Sequence, residues 1–272
     1  MTASTGREDH AGLRQPPASP TGTEADRGVV ALEASRPRPA PRGRSSRRGG
    51  STWRVPAALV ALTGISVTAG VLRVVEIAGG PVLLPTNPRI DASPAPVVVH
   101  VVAVALFALL GAFQFSAGIR RRRPGWHRRS GRMLVVAGLV VAGSGLWMTL
   151  FYPDAPGGVL LWAVRLLVGS GVAASIVLAF AAIRRRDIPT HRAWMIRAYA
   201  LAAGAGTQLL TEGISESAFG TGDLPKALSM TAGWLINLAI AEWIIRRPGI
   251  RRRRRAREAR AAQARPVVVG AP

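Results

Sequence analysis

The chain has 272 residues, 49% of them hydrophobic, yet it carries 36 Lys+Arg against 14 Asp+Glu for a formal net charge of +22. Apolar and strongly basic character coexist only when segregated along the chain. Here the arginines fall between long apolar runs, which points to a membrane surface rather than to nucleic-acid phosphates. The absence of Cys excludes disulfides, thiolate metal sites, iron–sulfur clusters and covalently attached c-type haem, so any redox chemistry needs a non-covalent cofactor.

Residues 1–54 are polar and rich in Pro, Arg, Ser and Gly, with no apolar core of signal-sequence length. They are expected to form a disordered basic cytoplasmic tail. A helix needs about 20 mostly apolar residues to cross a hydrocarbon core of roughly 30 Å, because unpaired backbone polar groups are not tolerated there. Six segments meet that requirement between residues 55 and 246: Pro56 to Ala78, Val97 to Ile119, Met133 to Tyr152, Val159 to Ile183, Ala193 to Ile214 and Ala227 to Ile245. A second basic tail, 247–272, follows.

Charge sorts the connections. Arg42 to Arg54 precede the first segment; Arg120 to Arg123, Arg128, Arg129 and Arg132 join the second to the third; Arg184 to Arg186 and Arg192 join the fourth to the fifth; Arg246 onward follow the sixth. The links 79–96, 153–158 and 215–226 hold only Arg89 and Lys226 as cations. Every second connection is basic, so the positive-inside rule predicts an all-α integral membrane protein with six transmembrane helices and both termini cytoplasmic. Five or seven spans would break the alternation. The bias toward Ala, Gly, Arg, Pro and Val points to a GC-rich bacterial genome, hence to a bacterial cytoplasmic membrane. Short links within segments two to five predict a central four-helix bundle, with Gly143, Gly145, Gly169, Gly171, Gly204 and Gly206 at points of close helix approach.

An internal repeat emerges from the two central basic loops. Ile119-Arg120-Arg121-Arg122, four residues, then His127-Arg128 is matched by Ile183-Arg184-Arg185-Arg186, four residues, then His191-Arg192, at a constant offset of 64. The bundle therefore reads as two parallel-repeat helical hairpins. Two independent positive-inside loops would produce a similar pattern. Either way, His127 and His191 are predicted at matched depth.

The run Gly111-Ala112-Phe113-Gln114-Phe115, then Trp126-His127-Arg128 with Gly131-Arg132, then His191-Arg192-Ala193-Trp194-Met195-Ile196-Arg197-Ala198-Tyr199-Ala200 resembles the bacterial membrane proteins of the domain-of-unknown-function 2306 family. The resemblance spans a core of 97–214 and implies a multipass membrane protein without implying an activity. One departure is that an Arg is expected near Gln208.

Ionisable residues at membrane depth are functional leads because each costs a few kcal/mol unless partnered or used. At the arginine-rich end, His127 and His191 are candidate axial ligands to the iron of a b-type haem, with Arg132, Arg192 and Arg197 as donors to its propionates, giving an electron-transfer function. The competing reading makes these His-Arg pairs interfacial anchors for anionic headgroups. At the other end, Arg73, Glu76, His100, Arg165 and Glu212 form a candidate polar cluster for a small-solute or proton transporter, or a structural ion-pair network. Arg73 with Glu76, and Glu242 with Arg246, are expected as local ion pairs, and Arg165 is expected to seek Glu212 or Glu76. No H-E-x-x-H, P-loop or G-x-S-x-G pattern falls at a usable position, so the reading is a non-enzymatic membrane, assembly or transport protein whose basic tails meet anionic lipid and not nucleic acid.

Overall fold

The computed structural model describes residues 53–154 and 156–263, with side chains described as far as Arg247. The expected N-terminal tail lies outside the described residues except for its last two positions. Within them all regular structure is helical: α1 (Arg54–Ile77), α2 (Pro88–Ala92), α3 (Ala95–Gln114), α4 (Ala117–Arg122), α5 (Pro124–Phe151), α6 (Gly158–Arg184), α7 (Ile188–Ala202), α8 (Gly204–Phe219) and α9 (Asp223–Gln263). Five of these, α1, α3, α5, α6 and the first 25 residues of α9, are long and apolar enough to cross a membrane.

Two segments expected as single helices are broken. The second stops at Gln114 because Ser116 adopts an extended conformation and its hydroxyl accepts from the Ile119 N–H, capping α4 instead of letting α3 continue. The fifth is divided by Ala203 into α7, which starts five residues earlier than expected, and α8. Neither half reaches spanning length alone: α7 has 15 residues and α8 has 16. Small residues permit the break, since Ala202, Ala203, Gly204, Ala205 and Gly206 offer no side chain to bridge it. The Gly206 backbone abuts the Leu62 carbonyl of α1, and Gly204 lies against the Trp234 indole of α9.

Breaking a helix strands the carbonyls of its last turn. Asn237 of α9 answers this by donating to the Ala200 carbonyl at 3.1 Å, while Thr207 donates to the Asn237 side-chain oxygen at 2.7 Å. The sixth expected segment also differs from expectation, because the helix runs on to Gln263 through the basic stretch that follows.

The sealed core draws on α3 (Ala103, Phe107), α5 (Leu134, Val141, Ala142), α6 (Val172, Ile176) and α7 (Ala198, Tyr199, Ala203). Tyr199 is its keystone. Its ring stacks on Phe107 at 5.9 Å and meets Phe115 edge-on at 5.1 Å, and its hydroxyl donates to the Ala108 carbonyl at 2.9 Å. Helices α1 and α9 are part of the packing: α1 lies against α3 and α8, and α9 against α6, α7 and α8. Of the glycines expected at close approaches, Gly169, Gly204 and Gly206 are crowded, whereas Gly143 faces open space.

Candidate functional site

Chain direction places the starts of α3 and α6 and the ends of α1, α5 and α8 at the pole opposite the arginine-rich loops. There a cavity of about 480 Å³ opens among the helices. Its walls include Val67, Val101, Val104, Met148, Leu201 and Trp234, and its polar groups are Ser66, Arg89, His100, Thr149, Tyr152, Arg165 and Gln208. Among the described residues none that line it is acidic.

Each charged group reaches this cavity for a local reason. On α1, Arg73 donates to Glu76 at 2.8 Å and to the Pro85 carbonyl at 2.6 Å, and Glu76 accepts from the Leu83 and Leu84 N–H groups at 2.5 and 2.6 Å. The Glu76 side chain is 6% exposed. This clamp folds the 80–87 loop back over α1 and delivers Arg89, on the short α2, to the cavity. Tyr152 donates to the Ser93 carbonyl at 2.5 Å and ties the end of α5 to the residue that follows α2; burial raises its phenol above the usual range. Gly157 has a left-handed backbone (φ 96°), which a side chain would oppose, and its N–H donates to Asp223 at 2.8 Å. The turn so formed presents the Pro156 carbonyl to Arg165.

Arg165 lies about two turns into α6. It reaches Pro156 O at 3.4 Å and the Met230 sulfur at 3.9 Å, contacts too long to satisfy a guanidinium with five donors. The partners expected for it are engaged elsewhere: Glu76 is held by Arg73, and Glu212 is paired with Lys226. The outer cluster read from the sequence is thus divided into two structural ion pairs, Arg73–Glu76 and Glu212–Lys226, and a cavity group of Arg89, His100 and Arg165.

The His100 ring is fixed by its hydrogen bond. Ser144 donates its one proton to the Val140 carbonyl at 2.6 Å, so its oxygen accepts from His100 Nδ1 at 2.9 Å. In the neutral ring this leaves Nε2 as a lone-pair acceptor. Gln208, buried at the cavity wall, donates to the Met230 carbonyl at 3.0 Å. The Ser66 hydroxyl at the cavity floor is buried without a partner. A gap of about 20 Å³ below it ends on Phe107 and Tyr199. Arg89, Tyr152, Thr149 and Gln208 were not singled out as site residues from the sequence, since a loop cation and isolated polar groups carry no periodic signal.

At the arginine-rich end, His127 and His191 each occupy the fourth position of their helix, α5 and α7, behind a proline in the first turn. His191 lies close enough to His127 for its charge to be felt there. His191 Nδ1 bonds the Ala179 carbonyl at 2.9 Å, and His127 Nδ1 is buried without a partner. The expected propionate donors do not converge: Arg197 donates to Glu242 at 2.5 Å and stacks on Trp194, while Arg132 and Arg192 are exposed. Glu242 also pairs with Arg246 at 3.2 Å. Gln114 bridges α3 to Ser130 of α5 at 2.6 Å. Asp187 caps α7 by accepting from the Thr190 N–H at 3.1 Å, and its bonds to Thr190 hold its carboxyl below the usual range. Among the described residues, no group of three or more His, Asp or Glu side chains is placed to hold a metal ion.

No curated protein and no solved structure matches the chain. The family model described as "Predicted membrane protein (DUF2306)" matches residues 97–245, more than half of the chain, and so extends past the expected core of 97–214 through α8 and the apolar part of α9. With five helices of spanning length and character and a family match that covers the cavity-bearing bundle, the chain is a multi-pass membrane protein and belongs to the DUF2306 family.

Proposed function

We propose that the protein binds a small organic anion in the cavity opposite its arginine-rich loops and carries it across the membrane. In this reading α7 and α8 act together as one kinked crossing, which gives six crossings, cytoplasmic termini, and basic tails lying against anionic headgroups. The observation that carries it is Arg165, a cation inside an apolar helix with no carboxylate at ion-pair distance among the described residues, lining a cavity with no acid. Holding such a charge at membrane depth costs about 3 kcal/mol on insertion scales. A structural role would have neutralised it, as Arg73 and Lys226 are neutralised. The cavity has the volume and the mostly apolar wall of a small-molecule site. A smaller gap lined by Phe107 and Tyr199 adjoins it at Ser66, and residues on both sides of the α7–α8 break line its wall, where discontinuous helices of carriers form their sites. A haem between His127 and His191 has only their proximity in its favour.

The test is titration of the purified protein with octanoate and 1-octanesulfonate, followed by uptake of the bound anion into proteoliposomes. A charge-assisted bond is worth about 1.5–3 kcal/mol, so Arg165→Gln is expected to weaken binding by about tenfold to a hundredfold. Equal affinities in wild type and variant would overturn the reading, and binding without uptake would reduce it to an anion receptor.

A further inference from the structure

We propose that the cavity takes up its anion together with one proton, held on His100 Nε2. This rests on the anion reading above and adds what travels with the anion. The geometry behind it is the fixed tautomer. Because Ser144 directs its proton to the Val140 carbonyl, Nδ1 of His100 is the donor to Ser144, and Nε2 has no hydrogen-bond partner among the described residues. Nor is Nε2 sealed: among described side chains, the buried polar atoms without partners are the Ser66 hydroxyl and His127 Nδ1. The imidazole therefore offers the cavity a bare lone pair.

The groups around it determine what that lone pair can do. Arg89 reaches the cavity from α2 and Arg165 from α6, and Tyr152 enters beyond the end of α5. On α1, the ionisable side chains near this pole, Arg73 and Glu76, are closed on each other and on the 80–87 loop. From α7 and α8 the cavity receives Leu201, Ala202, Ala205 and Gln208, none of them ionisable, and from α9 Met230 and Trp234. Among the described residues, the groups lining the cavity with the neutral ring thus include two cations and no carboxylate. Protonation while the cavity is empty would add a third positive charge to that lining. An anion between the guanidiniums and the ring reverses this, because the imidazolium then becomes a third donor to it.

Anion and proton are thereby thermodynamically linked, each tightening the other by the same factor. The charge balance is simple. One anion and one proton enter from the same side, the proton forms an N–H bond at Nε2 without breaking any bond in the protein, and both leave together. Imidazole is the one side chain lining the cavity whose ordinary titration falls near neutral pH, so the linkage operates under ordinary conditions.

The experiment is calorimetric titration of the full-length protein with 1-octanesulfonate at pH 5.5, 6.5, 7.5 and 8.5, each in two buffers of different ionisation enthalpy. A sulfonate keeps its charge throughout this range, so any pH dependence belongs to the protein. Affinity is expected to rise as pH falls, by up to about tenfold per pH unit, with uptake of up to one proton per anion. His100→Asn keeps an amide donor for Ser144 and removes the titration, so the slope of its affinity with pH is expected to vanish. Should that variant fail to fold, His100→Gln serves the same comparison. Wild-type binding that is independent of pH, or a slope that persists in the variant, overturns the proton coupling and leaves anion binding standing. No binding at any pH overturns both.

Discussion

Arg165 and Gly138 illustrate how differently two single residues can be constrained. Arg165 is held by two weak contacts and faces a cavity, so its constraint is chemical. Gly138 is held by volume: a methyl group there would lie 2.5 Å from Ile176 Cδ1 and 2.7 Å from the Phe107 ring. Both neighbours are in the sealed core and have little room to retreat. Gly143, five residues along the same helix, meets nothing within 4 Å. Gly138→Ala is therefore expected to destabilise the purified protein by about 1–3 kcal/mol. Gly143→Ala should be neutral or slightly stabilising, since Ala is the better helix former by up to about 1 kcal/mol. Thermal unfolding in detergent distinguishes them, and equal melting temperatures would contradict the packing argument. Read from the sequence, the close approach is expected at Gly143 and not at Gly138, the reverse of what the packing shows, because both stand in one long apolar segment and only the neighbouring helices tell them apart.

Among the elements, the interrupted fifth segment teaches most. Hydropathy reads Ala193 to Ile214 as one apolar stretch, and it is one; hydropathy does not register that Gly204 and Gly206 let α9 and α1 approach where a side chain would keep them away. The break then needs Asn237, a polar residue on another helix, to satisfy the Ala200 carbonyl. Asn237→Leu leaves that carbonyl and the Thr207 hydroxyl without their partner in a water-poor setting. It is expected to cost about 1–3 kcal/mol, read as earlier unfolding in a denaturing-detergent titration. The short α4 carries a related lesson: a serine hydroxyl and one extended residue end α3 five residues before its apolar run does.

For the whole molecule, the alternation of basic and nearly uncharged connections predicts opposite exposure for its two poles. The chain contains no Cys, so single cysteines can be introduced without a background. Gly125 in the arginine-rich loop region and Ser217 near the end of α8 are both exposed. Ser217→Cys is expected to react with a membrane-impermeant maleimide in intact cells, and Gly125→Cys only after permeabilisation. Labelling of both from one side would remove the six-crossing topology, because α7 and α8 together could not then carry the chain across.

Helical class, membrane residence, the family and the presence of several long apolar helices were legible in the sequence. They follow from periodicity, length and charge along the chain, which are local quantities. The two local ion pairs, Arg73–Glu76 and Glu242–Arg246, were legible for the same reason, since three and four residues of helix bring side chains together without help from the fold. What only the tertiary structure decided is which polar groups remain free. The sequence supplied Arg73, Glu76, His100, Arg165 and Glu212 as one cluster. Folding assigned Glu212 to Lys226, spent Glu76 on its own loop, fixed the His100 ring on Ser144, and brought Arg89 in from a loop beside Arg165. Pairing of charges is a competition among partners that meet only when distant helices pack, so the cavity and its uncompensated positive charge belong to the assembled bundle and to no single stretch of chain.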